Sequence, residues 1–430
     1  MPAEVRHVTR PGRFLLATVD GGGNAPPALG IAAELVRRGH AVTVLADPTL
    51  EASARAAGCA FRAWRAGPCI GSVAEQTELA RRVEDGSLRD RIEVGRAFLV
   101  DGTPGWARDV AAAASRCGAD AVLAEAALPG ILLGAVVSGR PAAALMANVN
   151  MRPTPGVPLM GTGWSPARGP AGRLRDAVAP RLAQRATALL RPRLNAVLAD
   201  AGLPSIRHLF ELLDRCAEVL VLTSPSFDLP APRLPANVRY VGPQLDDPDW
   251  AATGGDWRPE GPGPLVLVGT SSVQQHGTAD LLGRVTAALG QLPVRAVVTT
   301  GRAIDPAEVP AAPGVRVVRA APHAAVLAEA AAVVTHAGHG TTIKALAAGV
   351  PLVCVPLGRD QVDNTVRVLR LGAGVRLPAT APADRIAAAV REVLGKERYR
   401  EAARRFAATL AEEARTRPSA ADRAEALLQR

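Results

Sequence analysis

Two clusters lying close together in the chain have the residue types and spacing to bind an anion and a polyol. The first, His336-Ala337-Gly338-His339-Gly340-Thr341-Thr342, follows the apolar run Ala332–Val334, and the spacing of Ile343, Leu346 and Ala347 beyond it is helical. A strand that turns through glycines into a helix points unpaired N–H groups, reinforced by the helix dipole, at whatever anion sits there. The glycines let the backbone turn sharply and approach a ligand closely. The second cluster, Gly358-Arg359-Asp360-Gln361, follows another apolar run, Pro351–Pro356, and sets a carboxylate beside an amide, a pairing suited to hydroxyl groups. Both sit at the carboxyl ends of expected strands, the edge at which open parallel sheets take their ligands.

The elements that must position these clusters read as repeated strand–loop–helix–strand units, which demand right-handed crossovers and parallel sheets. Phe14–Val19 is apolar and strand-like, Asp20–Asn24 is a glycine loop, Pro27–Arg38 has helical spacing closed by Gly39, and Ala41–Ala46 is the next strand. Further strands are expected at 121–124, 142–146 and 219–223, with a helix around 128–138, a less regular insertion at 50–106 and a long loop at 152–172. Residues 224–264 are dense in proline and glycine and read as a linker. A second set of strands follows at 265–268, 294–299 and 315–318, with helices at 280–292 and 323–329 before the first cluster. The expected organisation is therefore an N-terminal Rossmann-like domain over 1–223, the linker over 224–264 and a C-terminal Rossmann-like domain over 265–418. The tail is long and amphipathic, with helices at 382–394 and 397–428 divided at Pro418, a residue that cannot sit quietly inside a helix.

At 430 residues the chain can bury two cores. Its formal charge of +10 does not make it a nucleic-acid binder, because the arginines are scattered among acids and not interleaved with aromatics. Lys344 and Lys396 are the only lysines. The moderate positive excess favours approach of an anionic nucleotide. Cys59, Cys69, Cys117, Cys216 and Cys354 are unpatterned and read as reduced, buried hydrophobes. No run is long enough to span a bilayer and the first ten residues are polar, so a cytoplasmic protein without membrane insertion is expected. Asp247-Pro248-Asp249 has the form of a metal-binding DxD, but it sits in the linker and reads as a solvated turn; no other spacing points to a metal.

The string from Val333 to Asn364 resembles the donor-binding signature of family 1 glycosyltransferases of the GT-B fold, which move a sugar from a nucleoside diphosphate to an acceptor. The resemblance implies two doubly wound α/β domains facing across a cleft, with residues 419–430 packing back on the N-terminal domain. It also implies diphosphate binding by His336, Gly338, Gly340 and Thr341, sugar binding by Asp360 and Gln361, and a phosphate-contacting hydroxyl at Ser271 or Ser272. His323 matches the position that holds the base, although the stacking tryptophan of plant members is replaced by Ala320. Where users of uridine diphosphate place a glutamate for both ribose hydroxyls, this chain has Lys344, which carries no acceptor. That departure favours a 2′-deoxy nucleotide, hence a thymidine- over a uridine-diphosphate sugar. Bacterial members with such donors often decorate polyketides and other secondary metabolites. No cofactor or metal is implied, and the oligomeric state, a homodimer included, is left open.

The acceptor side departs further. The family's general-base histidine falls on Asn24 and its orienting aspartate on Glu125. Asparagine cannot take a proton. Three explanations stand: Asp20 or Glu125 is the base, with Asp20 favoured for sharing the loop of Asn24; the acceptor is acidic enough to need little help; or the chain is a non-catalytic partner of another glycosyltransferase. A sugar-nucleotide epimerase on the same fold is a further alternative.

Overall fold

The computed structural model describes residues 10–84, 86–229, 231, 233–247, 251, 256–270, 275, 277–302 and 304–430. Apolar side chains at alternate positions send each central strand's residues to opposite faces, and this builds the two sheets. On β1 (Arg13–Ala17), Leu15 and Ala17 enter one core and Phe14 and Leu16 the core on the other face. On β8 (Leu265–Gly269), Val266 and Val268 face one way and Leu265 and Leu267 the other.

The first sheet contains β1, β2 (Ala41–Ala46), β3 (Ala60–Ala63), β4 (Ala121–Glu125), β5 (Ala142–Met146), β6 (Glu218–Val221) and β7 (Val238–Tyr240), in the order β3-β2-β1-β4-β5-β6-β7. The second contains β8, β9 (Arg295–Thr299), β10 (Val315–Val318), β11 (Ala330–Thr335), β12 (Leu352–Cys354) and β13 (Gly374–Arg376), in the order β10-β9-β8-β11-β12-β13. Every pairing is parallel. Strand order reverses between β1 and β4 in one sheet and between β8 and β11 in the other, which defines two switch-point crevices. The molecule is a pair of Rossmann-like α/β units.

Three readings of the sequence need correction. Residues 224–264 are not a bare linker: Val238–Tyr240 pair with β6 as the edge of the first sheet, a strand too short and too close to Pro and Gly to announce itself. The stretch 50–106 is largely helical, with helices at Val73–Glu84 and Leu88–Arg96, the second opened by a Ser87–Asp90 capping box. The loop expected at 152–172 ends slightly earlier, since a helix of the first half begins at Pro170.

The tail divides at Pro418. Helix Glu397–Thr416 packs on the second half through Ala402, Ala403 and Phe406. Helix Ala420–Glu425, capped by Ser419 and Asp422, buries Ala420, Ala421 and Ala424 against Phe14, Leu16 and Leu35 of the first. Arg38 donates to Asp422 at 2.7 Å and to Glu425 at 2.9 Å at the same junction. Among the described residues no helix is long and apolar enough to cross a membrane.

Candidate active site

The two switch-point crevices open onto one cavity of about 360 Å³, walled on one side by the ends of β1, β4 and β5 and on the other by the ends of β8, β9, β11 and β12. On the second wall, β11 runs into His336 and Ala337, the latter at φ +66°, and helix His339–Ala347 starts with Gly338 as its cap. A Cβ on Gly338 would stand 2.5 Å from His336 Nε2, so only glycine lets the imidazole fold back over the turn. At Gly340 an added Cβ would meet no protein atom within 4 Å and would project into the cavity, leaving the backbone open to a ligand there. Thr341 packs against Gly269 at the end of β8.

His336 is 6% exposed, and its Nδ1 lies 3.4 Å from Thr335 Oγ1. Burial lowers its pKa to about 4 and outweighs the opposing attraction of Asp360, so the ring is neutral at pH 7 and keeps one N–H to donate. Burial lowers the pKa of His339 as well. Asp360 Oδ2 accepts from Asn148 Nδ2 of the opposite wall at 2.6 Å and from Asn364 Nδ2 at 2.8 Å. Gln361 lines the cavity but is 3% exposed, and its amide is already engaged: Oε1 accepts from Leu357 N at 2.8 Å, and Nε2 donates to Gln275 at 2.7 Å.

At the far end of that wall His323 Nε2 meets Thr299 Oγ1 at 3.2 Å, and burial followed by the charge of Lys344 lowers its pKa to about 4. Lys344 is not free. Its Nζ donates to Asp247 Oδ1 at 2.7 Å and to the Asp246 carbonyl at 2.8 Å. Asp247 is thus no solvated turn residue, contrary to the reading of its tripeptide; Pro248 and Asp249 lie outside the described residues. Ser271 and Ser272 also lie outside them, while Thr270 beside them lines the cavity.

On the first wall Asn24 and Glu125 are brought into contact. Asn24 Nδ2 donates to Glu125 Oε2 at 3.0 Å and to the Val19 carbonyl at 3.0 Å, while its Oδ1 faces Gly21. Glu125 ends β4, is 2% exposed, and accepts weakly from Thr18 Oγ1 and Ala127 N, each at 3.4 Å. Burial raises its pKa, more than the hydrogen bonds from Asn24 and Ala127 lower it. Asp20 sits differently. Its carboxylate accepts from Arg302 Nη2 of the other wall at 3.1 Å and borders a neighbouring cavity, not the one that Asn24 and Glu125 line. Of the two carboxylates weighed from sequence, Glu125 shares the cavity of Asn24 and Asp20 does not. Arg302 and Asn148 were not singled out from sequence, and Asp247 only as part of its tripeptide; no local pattern marks their contacts, because each acts on a partner far along the chain. Among the described residues no group of three or more His, Cys, Asp or Glu side chains is disposed to hold a metal ion.

Residues 283–429 match the family described as erythromycin biosynthesis protein CIII-like, C-terminal domain. The chain is 29% identical over 400 residues, 92% of its length and 94% of the relative's, to 4'-demethylrebeccamycin synthase of Lentzea aerocolonigenes. Two solved structures share the fold across 98% of this chain and 99% of theirs at 25% identity: the glycosyltransferase of kitacinnamycin, with a TM-score of 0.72, and the calicheamicin glycosyltransferase CalG4, with a TM-score of 0.69. Paired Rossmann-like halves and these likenesses define a glycosyltransferase of the GT-B fold. It is a homologue of actinobacterial antibiotic glycosyltransferases, and over residues 283–429 it matches the CIII-like C-terminal domain.

Proposed function

We propose that the protein is an inverting, metal-independent glycosyltransferase of the cytoplasm that moves a hexose, a deoxysugar included, from a thymidine-diphosphate sugar to a small natural-product acceptor such as a polyketide or other aglycone. The observation that carries this reading is that a single cavity has the anion-binding turn of His336, Gly338, Gly340 and Thr341 on one wall and the Asn24–Glu125 pair on the other. The diphosphate takes the open helix terminus, where backbone N–H groups and neutral His336 stabilise the charge that develops as the sugar–phosphate bond breaks. Asp360, held toward the opposite wall by Asn148, accepts hydrogen bonds from sugar hydroxyls, and Gln361 fixes the loop that presents it.

The acceptor oxygen attacks the anomeric carbon, its bond to that carbon forms as the bond to the diphosphate oxygen breaks, and its proton passes to Glu125. Asn24 orients the acceptor and steadies the carboxylate. Glu125 takes the role of base in preference to Asp20 because it borders this cavity and burial gives it the raised basicity that proton abstraction needs. Thymidine over uridine is supported by Lys344 at the nucleoside end. Incubating the protein with thymidine- and uridine-diphosphate sugars and a panel of phenolic, aglycone and amine acceptors, with mass spectrometry of the products, tests the reading. A hexose added to an acceptor is expected. Release of an altered sugar nucleotide without acceptor would identify an epimerase instead, and no turnover with any pair would reject the enzyme reading of this cavity.

A further inference from the structure

The nucleoside end of the cavity contains a carboxylate that arrives from an unexpected part of the chain. After edge strand β7 the backbone turns at Gly242, at φ +77°, and segment 244–247 runs across to the second half, where Gln244, Asp246 and Asp247 line the cavity beside His323 and Lys344. Asp247 is fixed from two directions: Oδ1 accepts from Lys344 Nζ at 2.7 Å, and Oδ2 accepts from the Ala324 N–H, in the first turn of helix His323–Glu329, at 2.9 Å. Its side chain is 13% exposed, as is that of Lys344. So buried a carboxylate is costly unless paired, and here it is paired by a lysine on the very helix whose start forms the anion site. Lys344 lies one helical turn beyond Gly340, which is about 6 Å along the axis at 1.5 Å per residue, the scale of the step from a diphosphate to its pentose.

We infer that Asp247 is the hydrogen-bond acceptor for the 3′-hydroxyl of the donor nucleotide, and that Lys344 is the positioning residue that holds it there. The inference rests on the donor reading above and deepens it. A glutamate with both oxygens uncommitted can take two ribose hydroxyls. Asp247 has each oxygen engaged once, by an ammonium and by a backbone N–H, which fixes the carboxylate and leaves a lone pair on each oxygen for a ligand hydroxyl. A deoxyribose offers it a single ring hydroxyl, at the 3′ position. The lysine that removes the acceptor from the helix thereby recruits another from segment 244–247.

Calorimetric titration of the full chain with thymidine diphosphate and with 3′-deoxythymidine diphosphate tests this. The wild type is expected to bind the first about tenfold more tightly, the effect of one hydrogen bond to an ionised acceptor. In Asp247→Ala that difference is expected to vanish, whereas a merely structural role would weaken both ligands and keep the ratio. The ligand comparison on the wild type stands by itself if the variant fails to fold by circular dichroism. Equal affinities in the wild type, or a tenfold ratio persisting in Asp247→Ala, would overturn the assignment. Failure of the wild type to bind any nucleoside diphosphate would overturn the donor reading beneath it.

Discussion

At the scale of single residues, two side chains carry the sharpest expectations. On the proposed function His336 is a neutral donor to the diphosphate, so His336→Ala is expected to lower turnover by about two to three orders of magnitude, the usual loss when one oxyanion-type donor is removed. Steady-state kinetics with retained near-normal turnover would contradict the role. Glu125 makes a double expectation. As the base it must be ionised, so kcat/KM should show an acidic limb displaced above the ordinary carboxylate range, and the limb should vanish together with most of the turnover in Glu125→Gln. As a buried carboxyl with a raised folded-state pKa it favours folding when protonated, so that contribution is present below the unfolded value near 4.5 and is lost as pH rises through the folded value. Glu125→Gln is therefore expected to be more stable than the wild type at neutral pH and to show no such gain at pH 4. Chemical denaturation at the two pH values measures this. The meeting of Asn24 with Glu125 was legible through the family resemblance, which puts a base and its orienting carboxylate at these two positions. The turning away of Asp20 was not, since Arg302 approaches it from the other sheet and a charge pair so distant in the chain leaves no local trace.

At the scale of elements, the turn from β11 into helix His339–Ala347 was legible because an apolar run, a pair of glycines and helical spacing follow one another in the sequence. Its two glycines do different work, and the difference is measurable. Gly338→Ala pushes a methyl group into His336 and is expected to reduce turnover as His336→Ala does. Gly340→Ala meets no protein atom, so its fold should be unperturbed while nucleoside diphosphate affinity falls, read by calorimetry against circular dichroism. The same region governs acid stability. Burial holds His323 and His336 at about 4 and lowers His339 too, and His323 and His339 begin helices whose positive ends further disfavour an imidazolium. The unfolded chain takes up these protons first, so stability is full above about pH 6.5 and falls as pH drops toward 4, by about 1.4 kcal/mol per pH unit for each imidazole. Replacing His336 by Gln should flatten the denaturation-midpoint profile over that window, and an unchanged slope would refute it. What the sequence hid at this scale were short strands at or near sheet edges. Runs of three residues such as Val238–Tyr240 and Gly374–Arg376 carry too few side chains to show a period, and β3 is mostly exposed, so pairing with a neighbour, not local pattern, makes them strands.

At the scale of the molecule, the two halves are joined by polar side chains whose partners lie far apart in sequence. Asp20 meets Arg302, Asn148 meets Asp360, Asp363 accepts from the Gly163 N–H at 3.0 Å, and Ser224 and Ser226 both reach Glu413. The doubly wound halves were legible from alternating apolar runs, but this stitching was not, because it depends on how two finished surfaces meet. A buried member with three partners is Asp228, which follows β6 and accepts from Arg367 Nη2 at 2.6 Å, from Tyr240 Oη at 2.7 Å and from the Asn150 N–H at 2.9 Å. Asp228 and Arg367 are 4% and 6% exposed, so salt screens their attraction little. Removing the cation alone strands a buried carboxylate, whereas removing both charges does not. Arg367→Met is accordingly expected to cost about 3–5 kcal/mol of stability, and the double variant Asp228→Asn, Arg367→Met to recover much of it. Urea denaturation of the wild type, both single variants and the double variant closes the cycle. A surface-like pair would instead give single-variant losses near or below about 1 kcal/mol that shrink further in molar salt, and that result would mean this pair contributes little to joining the halves.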